Sequence, residues 1–136
     1  MFDYFSFGKI TKAINYNKDT CGYDTIIIYF EKNTITLYAL ADCCSVSRFV
    51  IQNNDLNYLI GKKIIHINEK KSFNDLNYKN GRLQITPISL RLDNQTEFNL
   101  ALHNKSNGYY SGWMEIEEGV PLDFDGELYI NSNTDE

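Results

Sequence analysis

Aromatic, amide and hydroxyl side chains concentrate in two short segments, and their chemistry suits recognition by stacking and hydrogen bonding. Residues 42–49 read DCCSVSRF and residues 104–113 read NKSNGYYSGW. Rings offer flat faces with polar edges, and carboxamides both donate and accept hydrogen bonds, so a sugar, a nucleobase or a partner protein would fit. The alternative is a tight turn whose rings fold into the core. The predicted ligand-binding residues are Asp42, Ser45, Ser47, Arg48, Asn104, Asn107, Tyr109, Tyr110 and Trp113.

No pattern typical of catalysis accompanies these segments. Ser45 and Ser47 lack the G-x-S-x-G elbow of hydrolases, and the sequence contains no G-x-x-x-x-G-K phosphate loop. Glu115 and Glu117 alternate with apolar residues, which is more typical of the wet face of a strand than of a catalytic carboxylate pair. We therefore predict no catalytic residue and no cofactor, and a hydrolase or metal-dependent enzyme is the least favoured interpretation.

Cysteine usage favours packing over metal binding. Cys43 and Cys44 are neighbours, and neighbouring residues of a strand point to opposite faces, so both cannot bind one metal without a bend. A zinc site would need one of them with His103 and Asp42, without C-x-x-C spacing. We predict no metal site, and a vicinal disulfide or a reactive thiol is the remaining alternative. With Cys21 the number of cysteines is odd, which indicates a reducing compartment.

Strand signals dominate the chain. Short runs of Ile, Tyr, Thr and Phe between Asn, Asp, Gly and Lys predict a mainly β domain. Only residues 54–60 favour a helix, with Asn54 as its N-cap and Gly61 as its stop. The predicted fold class is mainly β, or α+β with one short helix, with the strands in an antiparallel sheet or small sandwich.

An internal repeat organises the sequence. IIIYFEKNTITLYALAD, residues 26–42, aligns without a gap with ISLRLDNQTEFNLALHN, residues 88–104. We predict a single domain, 1–136, built from strand-plus-hairpin repeats over about 8–49 and 61–113, with 131–136 as a disordered tail. We call residues 42–49 and 104–113 the recognition segments. Since each follows its hairpin at the same point, the two are expected to meet near an internal axis.

Side-chain pairing predicts the hairpin registers. A three-residue loop pairs Arg91 with Glu97 and Leu90 with Phe98 in the second hairpin. By the gapless alignment, the first loop also has three residues, ending in a left-handed Asn33. The second face of the first hairpin is then apolar, which predicts a homo-oligomer contact, or cover by the helix and the C-terminal segment. The predicted interface residues are Ile27, Tyr29, Ile35 and Leu37.

Charge and hydropathy restrict partners and location. The chain has no apolar run of the length of a membrane span, and its start, MFDYFSFGK, lacks the basic residues of a signal peptide, so we predict a soluble, intracellular protein without a membrane partner. All 13 Lys and Arg lie within residues 1–105, whereas residues 106–136 are acidic without a base. This balance disfavours nucleic acid as a partner.

The motifs D-C-C-S-x-S and N-x-S-N-G-Y-Y-x-G resemble a family of small uncharacterised proteins of tailed phages and large DNA viruses, a domain of unknown function. The resemblance covers about Gly8 to Ile116 and departs at Arg48, where the family tends to have Trp, and at Ser111, where it tends to have Gly. It implies a viral protein of the host cytoplasm or the virion, and it implies no activity. The leading hypothesis is a non-enzymatic module that self-associates and binds a host or viral protein. The alternative is a nucleotide- or glycan-binding or sequestering protein.

Overall fold

The computed structural model describes residues 2–17, 24–42, 44–52, 54–108 and 110–121. Within these ranges the chain forms nine strands and two single turns of 3-10 helix, Tyr4–Phe7 and Leu56–Leu59. The strands are β1 (Ile10–Asn17), β2 (Asp24–Phe30), β3 (Thr34–Ala41), β4 (Val46–Gln52), β5 (Ile64–Glu69), β6 (Phe73–Asn74), β7 (Arg82–Leu92), β8 (Glu97–Ser106) and β9 (Gly112–Glu118).

The strands form two antiparallel sheets that share one apolar core. Sheet 1 has the order β1-β2-β3-β9, and sheet 2 has the order β4-β8-β7-β5, with the short β6 paired to β7. Alternate residues of each strand enter the core, where Ile28 and Leu37 of sheet 1 join Leu90 and Leu100 of sheet 2. The predicted mainly β, antiparallel fold class is confirmed.

Sheet 1 takes β1, β2 and β3 from the first half of the chain and β9 from the second, whereas sheet 2 takes β5 to β8 from the second half and β4 from the first. β3 lies between β2 and β9, and β4 lies beside β8. The orders β1-β2-β3-β9 and β5-β7-β8-β4 therefore place corresponding strands of the two halves at corresponding positions. We propose from this order that the chain arose by duplication of a four-strand unit whose last strands are exchanged.

The opening strands of the two halves match in detail. β1 shifts its register against β2 between Ile10 and Lys12. β5 shifts its register against β7 between Ile64 and His66. An irregularity of this kind, with one extra residue on one strand, bends the strand locally. Its occurrence at the same place in both halves supports the proposed duplication.

The hairpin turns are also anchored in the same way. The backbone N–H of Lys9 donates to Oε1 of Glu31 at 2.9 Å, and the N–H of Glu31 donates to the carbonyl of Lys9 at 2.9 Å. In the second half, the N–H of Lys63 donates to Oδ1 of Asp93 at 3.0 Å, and the N–H of Asp93 donates to the carbonyl of Lys63 at 3.0 Å. An acidic residue that begins each turn thus holds the segment that precedes each opening strand.

The second hairpin has the predicted register. Leu90 lies opposite Phe98, and Arg91 lies opposite Glu97. Gln95 closes the three-residue loop with a φ of +70°, the left-handed conformation that such loops require at their last position. Pairing of apolar with apolar and of charged with oppositely charged side chains therefore predicts this register correctly.

The predicted register of the first hairpin is wrong by one residue. The N–H of Phe30 donates to the carbonyl of Asn33 at 2.8 Å, which leaves only Glu31 and Lys32 in the turn. Among the described residues, Cys44 and Gln95 are the non-glycine residues with positive φ, so Asn33 is not left-handed as predicted. The N-terminal segment explains the tighter turn, because it accepts both turn amides, that of Lys32 through the carbonyl of Phe7 at 2.9 Å.

This difference decides which side chains of β3 enter the core. Ile27 lies opposite Thr36 and shares the outer face of sheet 1 with Tyr29. Ile35 and Leu37 point the other way and are fully buried in the core between the sheets. The four residues predicted to form one apolar face are therefore divided between two faces, because a one-residue slip reverses every side chain of a strand.

The middle of the outer face of sheet 1 is buried within the single chain. Ile14 and Ile27 are fully buried there, with Tyr16 beside them, in a second, smaller apolar cluster. Ile27 therefore exposes no surface that a second subunit could cover.

The predicted two-turn helix is a single 3-10 turn, Leu56–Leu59. Its N-cap is Asp55 rather than Asn54, since the Asp55 carboxylate accepts the N–H of Asn57 at 3.0 Å. Ile60 is already extended, and the turn is held by the buried side chains at its two ends. No helix in the described part of the chain is long and apolar enough to cross a lipid bilayer.

Candidate functional site

The two connections that exchange strands, β3 to β4 and β8 to β9, meet at one end of the sandwich. The N–H of Asp42 donates to the carbonyl of Ser111 at 3.0 Å, and the N–H of Ser111 donates to Oδ2 of Asp42 at 3.2 Å. This reciprocal pair ties the first recognition segment to the second. The prediction that the two segments meet is confirmed.

Asn104 holds the two connections together from inside the core. Its side chain is fully buried, and its Nδ2 donates to Oγ of Ser45 at 3.1 Å and to Oγ of Ser47 at 3.0 Å. Each hydroxyl gives its one proton to a backbone carbonyl, Ser45 to that of Asp42 and Ser47 to that of Leu40. Both hydroxyls therefore only accept from Asn104, and this network fixes the orientation of the amide.

Gly112 closes this arrangement because no side chain fits at its position. A Cβ there would lie 2.9 Å from Nδ2 of Asn104 and 2.9 Å from the carbonyl oxygen of Leu40, and closer still to Oγ of Ser47. The absence of a Cβ thus permits a close approach of β9 to β4. We name the following set the crossover junction: Asp42, Ser45, Ser47, Asn104, Ser111 and Gly112.

Two side chains of β7 that are not among the predicted binding residues also contact the junction. Gln84 lies opposite Asn104, and its Oε1 accepts the N–H of Gly112 at 3.2 Å. Arg82 donates from Nη2 to the carbonyl of Tyr110. The predicted register of the second hairpin could have identified both residues. Its extension along β7 places Gln84 opposite Asn104, and Arg82 lies on the same face.

Two buried polar atoms at the junction have no hydrogen-bond partner among the described residues. They are Oδ1 of Asn104, an acceptor, and Nε of Arg82, a donor. Leaving such a group unpaired costs about 1–3 kcal/mol. The two residues are diagonal neighbours across β7 and β8, which places their Cα atoms about 7–8 Å apart. Cys44, exposed in the same connection, has a strained φ of +74°.

The structure separates the predicted ligand-binding residues by exposure. Ser47 and Asn104 are buried and act within the fold. Asp42 and Asn107 are exposed at the end of the sandwich, and Tyr110 is half-buried beside them. Tyr109 lies outside the described residues.

Two other predicted residues point away from the junction. Arg48 lies opposite His103 on the outer face of sheet 2 and is exposed. Trp113 lies opposite Leu40 on the outer face of sheet 1, is 39% exposed, and donates from Nε1 to Oε2 of Glu115 at 3.1 Å. The junction therefore brings the two segments together without gathering all their side chains into one pocket.

Titratable groups are dispersed. No group of three or more His, Cys, Asp and Glu side chains that could hold a metal ion occurs among the described residues, and Cys43 lies outside them. Burial lowers the pKa of His103, the charge of Lys105 lowers that pKa further, and the charge of Asp75 partly offsets this effect. Glu115 projects to the outer face of sheet 1, on the polar side that its alternation predicted.

The chain belongs to the family described as a domain of unknown function (DUF7448), whose model matches residues 7–116. This range contains both halves and the crossover junction. An uncharacterised protein, L278, of Acanthamoeba polyphaga mimivirus is 35% identical over 83 residues, which cover 57% of this chain and 64% of that protein. The chain thus spans less than two thirds of the length of this relative. No solved structure matches the chain.

These findings fit an uncharacterised family of large DNA viruses. Neither residue at which the sequence departs from the expected motifs changes the junction through its side chain. Ser111 contributes its backbone N–H and carbonyl, which Gly would also supply. Arg48 points to the opposite surface.

Proposed function

We propose that the chain is a non-enzymatic viral binding module whose recognition surface is the crossover junction and its exposed rim. One observation carries the proposal. A buried acceptor on Asn104, a buried donor on Arg82 and the strained backbone of Cys44 occur together at one end of the sandwich. Folded proteins pair nearly all buried polar groups, and both unpaired groups and strained residues concentrate at functional sites.

The chemistry of the unpaired atoms favours a small polar ligand, such as a nucleotide or a glycan. One unpaired atom, Oδ1 of Asn104, accepts a hydrogen bond, and the other, Nε of Arg82, donates one, and a hydroxyl group can do both. Tyr110 supplies a half-buried ring, and Asn107 an exposed amide, at the rim of the same surface. Stacking combined with amide hydrogen bonds recognises both sugars and nucleobases.

Titration of 15N-labelled protein with ribonucleoside monophosphates and with common monosaccharides tests this proposal. A ligand is expected to shift the amide resonances of the junction, above all those of Ser111 and Gly112. Arg82→Lys keeps the charge but removes the Nε donor and the planar fork, so it is expected to weaken binding at least about tenfold. Arg91→Lys, an identical change at the exposed end of β7, is the matched control and is expected to bind normally.

Two results count against the small-ligand proposal. One is a full panel that shifts no junction resonance and raises no melting temperature, since a saturating ligand must stabilise the native state. The other is a ligand that binds Arg82→Lys as tightly as it binds the wild-type chain.

The outer face of sheet 2 favours a second candidate function, assembly with a partner protein. Val46 is 61% exposed and Phe73 is 53% exposed on this face. Arg48, His103, Ile85 and Phe73 form one row across β4, β8, β7 and β6. Exposed apolar side chains rimmed by charge are typical of protein-binding surfaces. Size-exclusion chromatography with light scattering tests it, because Phe73→Lys is expected to abolish any complex formed through this face.

A further inference from the structure

We propose that this chain binds a second copy of itself by exchanging halves, so that β1–β4 of one copy assemble with β5–β9 of the other. The strand order carries this inference. Without β9, sheet 1 ends at β3, and without β4, sheet 2 ends at β8. Each half therefore presents an open sheet edge and a free strand that are complementary to those of the other half.

The contacts between the halves do not depend on which chain supplies them. β4 pairs with β8 from Val46 opposite Lys105 to Gln52 opposite Asn99. β3 pairs with β9 along the whole of β9. The apolar core also joins the two halves. A half from a second copy restores all of these pairings, because its sequence is identical.

The connection between β4 and β5 is the single covalent link that an exchange must redirect. Asn54 and Asp55 are exposed in this connection. Beyond them, Leu56 and Leu59 are buried and anchor the 3-10 turn. A short exposed link between two large bodies of contacts is the usual hinge of a domain swap.

Exchange also changes the composition of the crossover junction. In the exchanged dimer, Asp42, Ser45 and Ser47 come from one chain, while Asn104 and Gly112 come from the other. Each copy then supplies part of its partner's site. The inference does not require a ligand at the junction, so the binding experiment and the exchange experiment fail independently.

Concentration and hinge length set the balance between the two forms. In the monomer, the short link holds the halves at an effective concentration on the order of millimolar. Refolding near that concentration therefore yields exchanged dimer, whereas refolding at micromolar concentration yields monomer. A shortened hinge strains the monomer and favours exchange.

A disulfide trap distinguishes exchange from any other association. Gln52→Cys with Asn99→Cys joins β4 to β8, and these residues face each other across the two halves. Directly opposed residues of antiparallel strands lie about 4.5–5.5 Å apart between Cα atoms, within the range of disulfides. The matched control, Arg91→Cys with Glu97→Cys, joins opposed residues of one half. Both pairs are built in a chain in which Cys21, Cys43 and Cys44 are replaced by Ser.

Each protein is refolded at micromolar and at millimolar concentration, oxidised, and run on non-reducing gels beside light scattering. Exchange predicts covalent dimer for the pair across the halves after refolding at high concentration, and covalent monomer for the control pair. Deletion of Asn54 and Asp55 is expected to raise the covalent dimer severalfold, and a four-residue Gly/Ser insertion there to suppress it.

The proposal is overturned if the pair across the halves gives only covalent monomer after refolding at high concentration. It is equally overturned by a dimer, seen by light scattering, in which that pair closes within each chain. If the shortened chain does not fold, the unmodified hinge at high concentration still decides between these outcomes.

Discussion

The two hairpins of this protein align in sequence, yet their second strands turn different aligned residues into the core. The β2–β3 turn has two residues and the β7–β8 turn has three, so residues after the first turn are displaced by one. Leu37 is therefore equivalent to Leu100 in the structure, and both are buried, whereas the gapless alignment matches Leu37 with the polar Asn99. Identical residues at aligned positions do not establish equivalent positions in space.

The outer faces of the two sheets differ as well. Ile27 and Tyr29 lie on the outer face of sheet 1, and Ser89 and Arg91 hold the equivalent positions on sheet 2. The apolar face is buried within the chain, and the polar face is open to solvent at its edges. The outer face of sheet 1 is therefore closed around Ile27, whereas the equivalent region of sheet 2 exposes Arg91.

The largest expected effect shows which residue is equivalent to Leu37: Leu100, as in the structure, or Asn99, as in the gapless alignment. Leu37→Ala and Leu100→Ala each remove a fully buried side chain from the core, so each is expected to lower the free energy of unfolding by about 2–5 kcal/mol. Asn99→Ala, at the aligned position, is expected to change it by less than about 1 kcal/mol. Chemical denaturation measures all three. A loss at Asn99 as large as that at Leu37 would refute the register.

The crossover junction offers the next largest effect. Gly112 and Ser47 hold equivalent positions in β9 and β4, and Gly112→Ala places a Cβ against Oγ of Ser47 and Nδ2 of Asn104. Overpacking of this kind is expected to cost about 1–3 kcal/mol. Ser47→Ala in the same chain removes the nearest atom and should recover part of the loss. Additive effects in this double-mutant cycle would contradict the close approach.

The two turns should respond to glycine with opposite signs. Gln95 is left-handed, so Gln95→Gly removes backbone strain and is expected to stabilise the fold by about 0.5–1 kcal/mol. Lys32 is not left-handed, so Lys32→Gly adds only chain entropy to the unfolded state and should destabilise by a similar or smaller amount. Stabilisation by Asn33→Gly would show that the first turn has the longer form, in which Asn33 is left-handed as Gln95 is in the second turn.

The smallest effect concerns His103, which faces Arg48 and Ile85 across the strands and lies near Lys105 and Asp75. Burial lowers its pKa in the folded state, so the unfolded chain binds protons more readily below about pH 6.5. Stability is therefore lost as the pH falls through that value. His103→Gln is expected to reduce the loss in melting temperature between about pH 7.5 and 5.5.

The readout for His103 is the difference between variant and wild type, because carboxylates also titrate toward low pH. His66→Gln, at an exposed position of β5, controls for the loss of an imidazole. An unchanged pH profile in His103→Gln would contradict the assigned role of burial.

The confirmed predictions rest on the side-chain chemistry of neighbouring strands and on the order of the segments along the chain. Pairing of Arg91 with Glu97 and of Leu90 with Phe98 is visible in the sequence, because opposed side chains of a hairpin are related by a simple count from the turn. The meeting of the two recognition segments also followed from the repeat, since corresponding connections lie at corresponding corners.

Contacts between residues far apart in the sequence determine the features that the sequence did not predict. The first turn is tightened by hydrogen bonds from Lys32 to Phe7 and between Glu31 and Lys9. The turn propensities of the residues in the turn do not predict these bonds. The exchange of β4 and β9 is equally non-local, because each strand passes its own hairpin to complete the other sheet. The burial of Asn104 follows from that exchange, and a sequence shows only that an amide is present there.

Cross-strand NOEs between Hα protons test the exchanged architecture most directly. Contacts are expected between Phe49 and Leu102 and between residues of β3 and β9, such as Ala39 with Met114, wherever the pair is not hydrogen-bonded. No ladder is expected between β3 and β4 or between β8 and β9. Observation of those two ladders in place of the β4–β8 and β3–β9 contacts would contradict the exchange of β4 and β9 between the two halves. It would also remove the basis for the proposed dimer of exchanged halves.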